Sequence, residues 1–431
     1  MIERLLGAVA GRVPAADAVT KSDDTVTVEL DDERRTAVAS SRSVTSHLRV
    51  CAEGAVAVAG GTDRDPEELV ARVLAALPHA ERLTIHLPAP SPLPVVMTRS
   101  PQGAVAGPDQ LLALLRPLAD RLSRTHRRVH LWAERSAGSV RIANSRGVLA
   151  EYEVTLVGLG ATVHSIGAGA GPPCHVHIAA VTMPAFPEIE SLVSEVERRL
   201  DPVSIETPPL PPRLPVWFTP RATAGLLRPL RAALLGREAL LGGGPFRERR
   251  GERAFDERLS LVDDPLVPAR PGSRPIDDEG VPSRRVTLVE NGRIVGVAVD
   301  LRVGSLAGVP STGHGWRRAG APPQPGFTNL IVRAGDAGRE VLFAPLSPGL
   351  LVEDLEWGAG ANALPGSFAV RAPWAYLVAE GEVRGRLEGI VLSGNVFALL
   401  TRLIAIGSDA TWLGGFCSPS LVLDGVSVIR R

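Results

Sequence analysis

The sequence predicts an α+β protein in two parts: an N-terminal α+β domain, a twisted antiparallel sheet with helices packed on it, and a β-rich, barrel-like C-terminal domain. Three observations predict this. Apolar residues alternate with period two through much of the chain, and only a few segments carry a helical period. A stretch at residues 201–215, "DPVSIETPPLPPRLP", holds six prolines, a density that favours extended chain and cannot continue a helix. Beyond it come many short strand-like runs and an Asn291-Gly292 pair, the preferred type I′ hairpin turn. With 431 residues there is room for two cores, because single cores stop growing at roughly 250–300 residues. The expected boundaries are residues 1–200, a linker at 201–215, and residues 216–431.

The elements follow in order. Residues 1–11 form a short amphipathic helix; "TVTVEL" and "RTAVAS" are strands joined at "DDER", and "HLRVCAEGAVAVAG" is two strands turning at Glu53-Gly54. Asp65 caps a helix that opens on Pro66, Glu67 and Glu68 and runs to about Leu77. "LTIHL" reads as a strand, and a second helix starts near Pro108, with Pro117 expected to kink or divide it. "RRVHLWAER", "GSVRIAN", "VLAEYEVTLVGLGATV" and "HVHIAAV" are strands, and residues 187–200 are a helix. After the prolines a helical run covers residues 221–243, and residues 284–300 form a hairpin. Strands are expected at residues 329–333, 341–345, 350–355, 367–371, 375–380 and 386–392, a helix at 395–406, and paired strands about Asp424-Gly425.

Composition narrows the function. Forty-seven basic and forty-seven acidic residues cancel, leaving no basic excess for nucleic acid or an anionic membrane. Lys21 is the only lysine, so nearly all positive charge is guanidinium. Cys51, Cys174 and Cys417 are odd in number and far apart, which argues against a disulfide framework. The N-terminus lacks an apolar run of signal length, and no stretch of about 18 apolar residues occurs; a cytoplasmic protein is expected. No histidine is followed by glutamate, no Gly-Lys pair exists for a phosphate loop, and no Gly-x-Ser-x-Gly elbow is present.

The residues with chemical potential are few. In "CHVH", strand alternation sets Cys174 on one face and His175 and His177 on the other, a thiol in the core and two imidazoles in water, or two ligands of a metal site needing further donors. Asp263 with Asp264, and Asp277 with Asp278 and Glu279, are adjacent acids in turns. They cap backbone N–H groups, or a pair of them is catalytic.

The order of "DDP", "DDEGVPSRR", "VENGRI", "STGHGWRR" and "TNLIVRAG" over residues 259–335, and of "SGNVFALLTRLIAIGSDATWLGGFCSPSLVLDGVSV" near the end, resembles the TldD/TldE (PmbA) metallopeptidase family. The likeness is weak before Ser43 and visible again at "NSRGV". In active members of that family a helix carries a His-Glu-x-x-x-His zinc motif. Aligned on "AGLLRPLRAALLG", the two histidines fall on Arg228 and Ala233 and the general-base glutamate on Pro229. Guanidinium has no lone pair for a metal, and alanine and proline side chains have no donor atom. Cys417 lies where the family's cysteine completes the zinc site, although "FCSPS" departs from the glycine-rich form that usually follows it; His314 stands where "TGNG" has asparagine.

The resemblance therefore implies the TldE/PmbA-type subunit, which does not cut peptides by itself. It implies no cofactor in this chain, zinc in a TldD-like catalytic partner, and a peptide substrate, with a homodimer when that partner is absent. Arg228, Arg231, Asp277, Asp278, Glu279 and His314 are the candidate contacts to peptide or partner. Two other readings stand beside it: an independent hydrolase using "CHVH" or the acids, and a stand-alone peptide-binding homodimer.

Overall fold

The computed structural model describes every residue except 33, 168–170, 201–203, 207, 248, 250, 319, 359–363 and 431. Helix α1 (Ile2–Val9) leads into β1 (Ala15–Asp31), β2 (Thr36–Ala52), β3 (Ala55–Thr62), α2 (Pro66–Ala76) and the short β4 (Glu81–Arg82). A single turn, α3 (Pro101–Ala104), and α4 (Pro108–Leu122) precede β5 (Arg127–Asn144), β6 (Leu149–Ser165), β7 (Cys174–Ala180) and α5 (Phe186–Leu200). These seven strands make one sheet in the order β4-β3-β2-β1-β5-β6-β7, antiparallel throughout. β1 and β2 are 17 residues each. At about 3.3 Å per residue such strands span roughly 55 Å, too long for one core to cover. Accordingly, helices α1 and α2 bury one end of the ribbon with Ile2, Leu5, Leu69 and Val73, and α4 and α5 bury the other with Leu111, Leu115, Leu192 and Val196. Residues 21–25 of β1, "KSDDT", lie between these cores and are half-exposed.

The second half begins with β8 (Arg213–Phe218), helices α6 (Pro220–Leu226) and α7 (Arg228–Ala233), and a π-helical turn at Arg237–Leu241. Next come β9 (Leu261–Asp263), β10 (Val286–Glu290), β11 (Arg293–Ile294), α8 (Leu301–Ala307), β12 (Gly315–Trp316), β13 (Gln324–Pro325), β14 (Leu330–Val332) and α9 (Arg339–Phe343). The chain finishes with β15 (Gly349–Val352), β16 (Ser367–Arg371), β17 (Ala375–Ala379), β18 (Glu382–Leu387), β19 (Ile390–Asn395), α10 (Val396–Leu399), β20 (Leu403–Ile406), β21 (Thr411–Leu413), β22 (Phe416–Ser418) and β23 (Leu421–Arg430). One sheet runs β11-β10-β9-β14-β22-β21. The other runs β16-β19-β23-β8-β15-β17-β18, with β20 also on β23, and curls into a half-barrel. Leu226, Leu230, Leu350, Leu392 and Leu423 are among the residues that fill the space between sheets and helices.

Several sequence expectations give way to tertiary context. "LTIHL" is extended but makes no ladder: Leu83, Ile85 and Leu87 are buried, while its carbonyls go to side chains, Thr84 to Ser305 and Leu87 to Arg146. The two strands expected across residues 127–144 are one, and Pro117 sits inside α4 without dividing it. Residues 339–343 are helical instead of extended. Residues 386–392 belong to two strands that turn at Gly389, with φ of 69°. The apolar run at 395–406 is helical for only four residues, because Asn395 caps a single turn and the β-branched segment after it pairs with β23. Asp424-Gly425 is no turn but a bulge in the continuous β23, where register shifts between Leu423 and Val426. Asn291 and Gly292 do form the expected turn, both at positive φ, yet β11 leaves the ladder after Ile294.

Gly138 marks where the long ribbon is tightest. It pairs with Asp23 across β1, and a Cβ there would run into the carbonyl oxygen of Ser22. Gly138→Ala is expected to destabilise the chain by about 1–3 kcal/mol, the usual cost of overpacking, read as a lowered midpoint in chemical denaturation.

Candidate functional site

The local fold around residue 228 follows from one proline. Pro229 has no N–H to give the carbonyl of Gly225, so the helical run breaks at Leu227, whose φ and ψ are −78° and 3°, and restarts as α7 with Pro229 in its first turn. The carbonyl of Gly225 instead accepts the indole N–H of Trp357 at 3.0 Å. That bond fixes the ring over which Arg228 lies, its Cζ 5.6 Å from the centroid. One turn on, the Arg231 guanidinium lies 5.1 Å from the ring of Phe416 in β22. Burial, and then the charge of Arg228, pull the Arg231 pKa below its ordinary value. Ala233 is fully buried in the core.

Cys417 is the next residue along β22, paired with Ile331 of β14 and Trp412 of β21. The structure thus brings the C-terminal segment against the helices, and Ser418 Oγ donates to the carbonyl of Pro220 at 2.7 Å. Cys417 itself is 7% exposed, and burial pushes its thiol pKa up. Among the described residues, no three His, Cys, Asp or Glu side chains converge on a point that could hold a metal ion. A guanidinium, a proline and a buried methyl group supply no ligand for zinc, and one buried thiol alone does not make a zinc site.

In front of α7 lies a cavity of about 780 Å³, walled on one side by Arg228, Arg231 and Leu235 and on the other by Trp316, Arg318 and Phe327. Trp316 and the residues after it belong to the β12–β13 hairpin, and Trp316 is held by its N–H on the carbonyl of Gly326 at 2.9 Å.

Behind the hairpin is a buried ionic network joining the N-terminal ribbon to this wall. Arg49 of β2, wholly buried, binds both oxygens of Asp17 on β1 at 2.8 Å and Glu279 at 2.5 Å. Arg317 also pairs with Asp17, and Lys21 reaches Asp278 at 2.6 Å. Asp278 further accepts the N–H of Arg317 at 2.8 Å, and Asp277 accepts those of Glu279, Val281 and Gly315. Burial alone would raise the Asp278 pKa, but Lys21 and Arg274 hold it below its ordinary value; Asp277 is raised by burial and the neighbouring Glu279. Asp300 has one oxygen on the N–H of Val303 at 2.7 Å and the other buried without a partner. Burial, then the charge of Glu279, push its pKa up to about 7.

The remaining candidates lie elsewhere. His314 is buried between Asp263, with Nε2 3.0 Å from a carboxylate oxygen, and Thr312, with Nδ1 2.8 Å from the hydroxyl. Asp264 caps the N–H of Leu266 at 3.0 Å. In β7 the alternation holds: Cys174 is buried, His175 and His177 are exposed, and His175 Nδ1 lies 3.0 Å from the Thr162 hydroxyl. The three cysteines are free. Sequence reasoning missed Asp17, Arg49, Lys21, Arg317, Trp316 and Trp357. Of these only Lys21, the single lysine, carries a visible signal.

Residues 211–430 match the family model described as the PmbA/TldA metallopeptidase C-terminal domain. Together with the half-barrel sheet and the helix pair beside β22, this sets the class, a metallopeptidase-type scaffold. The chain belongs to the PmbA/TldD family. A metalloprotease PmbA homolog of Haemophilus influenzae is 26% identical over 240 residues, 56% of this chain and 50% of that protein. A metalloprotease TldD homolog from the same organism is 30% identical over 166 residues, 38% of this chain and 34% of that one. The chain therefore spans only a third to a half of the length of these curated relatives. The crystal structure of TldE from Thermococcus kodakarensis superposes with a TM-score of 0.87 at 21% identity, covering 99% of both chains, a likeness of fold. No helix among the described residues is long and apolar enough to cross a membrane.

Two outcomes test the network. Arg49→Met takes the guanidinium away from buried Glu279, which keeps only the N–H of Leu301, and leaves Asp17 to Arg317 alone; it is expected to cost about 3–5 kcal/mol in urea denaturation. Asp300 binds a proton when folded that the unfolded chain has released between its ordinary 3.8 and about 7, so its contribution to stability falls as pH rises through that window. Asp300→Asn keeps the cap on Val303 and removes the titration. Its melting temperature relative to wild type is expected to rise from pH 4.5 to about pH 7 and then level off.

Proposed function

We propose that this chain is the non-catalytic, TldE/PmbA-like subunit of a two-subunit TldD/TldE zinc metallopeptidase. In this reading it completes a chamber in which a TldD-like partner, holding the zinc, cuts small or unfolded peptides. Residues 1–200 and 216–431 act as its two domains. The observation that carries the proposal is the occupancy of the motif positions by Arg228, Pro229 and Ala233, with Pro229 breaking the helix and Ala233 sealed in the core. β16 and β18 are the terminal strands of the curled sheet, bridged on their outer sides at Arg371 by Glu356 and at Arg386 by Ser204, and an extended peptide adds to the rest of such an edge through main-chain hydrogen bonds alone.

Co-expression with the TldD-type chain of the same genome provides the test. Copurification of the two chains is expected, together with chelator-sensitive cleavage of an unstructured peptide that needs both, and little zinc in this chain alone. Chelator-sensitive cleavage by this chain alone with stoichiometric zinc, or two chains that never copurify, would sink the proposal.

A further inference from the structure

The cavity at α7 has an unbalanced lining. Its walls carry Arg228, Arg231 and Arg318, none of which forms an ion pair with a carboxylate among the described residues, and the charge of Arg228 adds to burial in lowering the Arg231 pKa. In a chain whose charges cancel overall, 47 against 47, this is a local excess of like charge facing an open volume. Arg228 and Arg318 are exposed and Arg231 is half-buried, so at Arg231 a partly desolvated guanidinium stands beside a like charge, an arrangement that an anion relieves.

The two α7 arginines are also pre-oriented. Arg228 rests over Trp357, itself pinned to Gly225, and Arg231 over Phe416. Each guanidinium, its Cζ held over a ring, carries a planar fork of donors that matches a carboxylate. Across the cavity, Trp316 and Phe327 offer aromatic surface, with Trp316 held by its bond to Gly326. A volume of about 780 Å³ suits a ligand of a few residues.

We propose that this cavity binds a peptide carboxylate, Arg228 and Arg231 taking the carboxylate and Trp316 and Phe327 the adjoining apolar side chain. The choice of a peptide as ligand rests on the subunit reading above; the choice of a carboxylate rests on the lining alone.

The test uses the full chain and three probes in calorimetric titration: N-acetyl-Ala-Ala-Leu-Phe as the free acid, the same peptide as its C-terminal amide, and an amide with glutamate in place of leucine. The free acid is expected to bind saturably, and the plain amide about tenfold or more weakly, the scale of a lost charge-assisted bond. Arg228 is exposed, so Arg228→Gln is expected to keep the melting temperature and erase the preference for the acid, with Arg228→Lys restoring part of it. If the glutamate amide matches the free acid, the recognised group is a side-chain carboxylate and the proposal holds in that form. Equal binding of acid and plain amide, no saturable binding of any probe, or an unchanged acid preference in Arg228→Gln overturns it. None of these results touches copurification, and a chain that fails to copurify yet prefers the acid retains this pocket without the partner.

Discussion

The buried pairing of Arg49 with Asp17 and Glu279 is the constraint on which the rest of the structure depends, because it ties the N-terminal ribbon to the loops that build the cavity wall. Asp17 and Arg49 sit on adjacent strands, Glu279 sits in a loop of the second half, and Arg317 returns to Asp17 from the hairpin. An ionic cluster of this kind is a poor source of net stability, since desolvating each charge costs several kcal/mol and the attraction only roughly offsets it. Its effect is on placement: every alternative packing leaves a charge buried without a partner. The Asp277–Glu279 turn is held in the same way, by Lys21 from the ribbon and by three N–H groups on Asp277.

From that anchor the geometry propagates outward by short steps. Asp277 and Asp278 accept the N–H groups of Gly315 and Arg317, which brackets Trp316 between two fixed residues. Arg274 then lies 4.1 Å from the centroid of the Trp316 ring and Lys21 5.8 Å from it. Trp316 is therefore set by charges that belong to both halves of the chain, and it forms the wall opposite Arg228 and Arg231. At Trp316 the wall is held by these bonds, and binding loses little freedom against a side chain already held.

Much of this was legible in the sequence where local chemistry decides. Asp65 and Pro66 start their helix as their residue types require, Asn291-Gly292 turns, and "CHVH" alternates. Acids next to prolines and glycines do cap backbone N–H groups, as Asp264 and Asp277 show. The family order of motifs implies that the helix and the Cys417 segment are neighbours, and Ser418 does bond to Pro220 at the start of α6. What stayed hidden was decided by partners far away in the chain. Arg49 alternates with Leu48 and Val50 and so looks like a solvent-facing residue, but its face of β2 is covered by the loop bearing Glu279, 230 positions later. The apolar run after Asn395 has a helix's hydrophobicity, yet residues 403–406 pair as a strand with Leu421–Leu423 of β23, the part of that strand that β19 leaves uncovered.

The motif positions show how far this scaffold stands from a metal site. A histidine at 233 would have to enter a space where the native methyl group is fully buried among Leu226, Leu230 and other leucines, and an imidazole is several times larger. A glutamate at 229 would restore an N–H that competes with the Trp357 indole for the carbonyl of Gly225, unseating the ring beneath Arg228. The broken helix and the guanidinium over Trp357 are therefore coupled through the carbonyl of Gly225, and the sealed alanine lies one turn beyond them. If the motif falls here as the resemblance implies, a ligand restored at one position would meet an obstacle at the others: a change at 229 reaches Arg228 through Trp357, and 233 has no room for an imidazole.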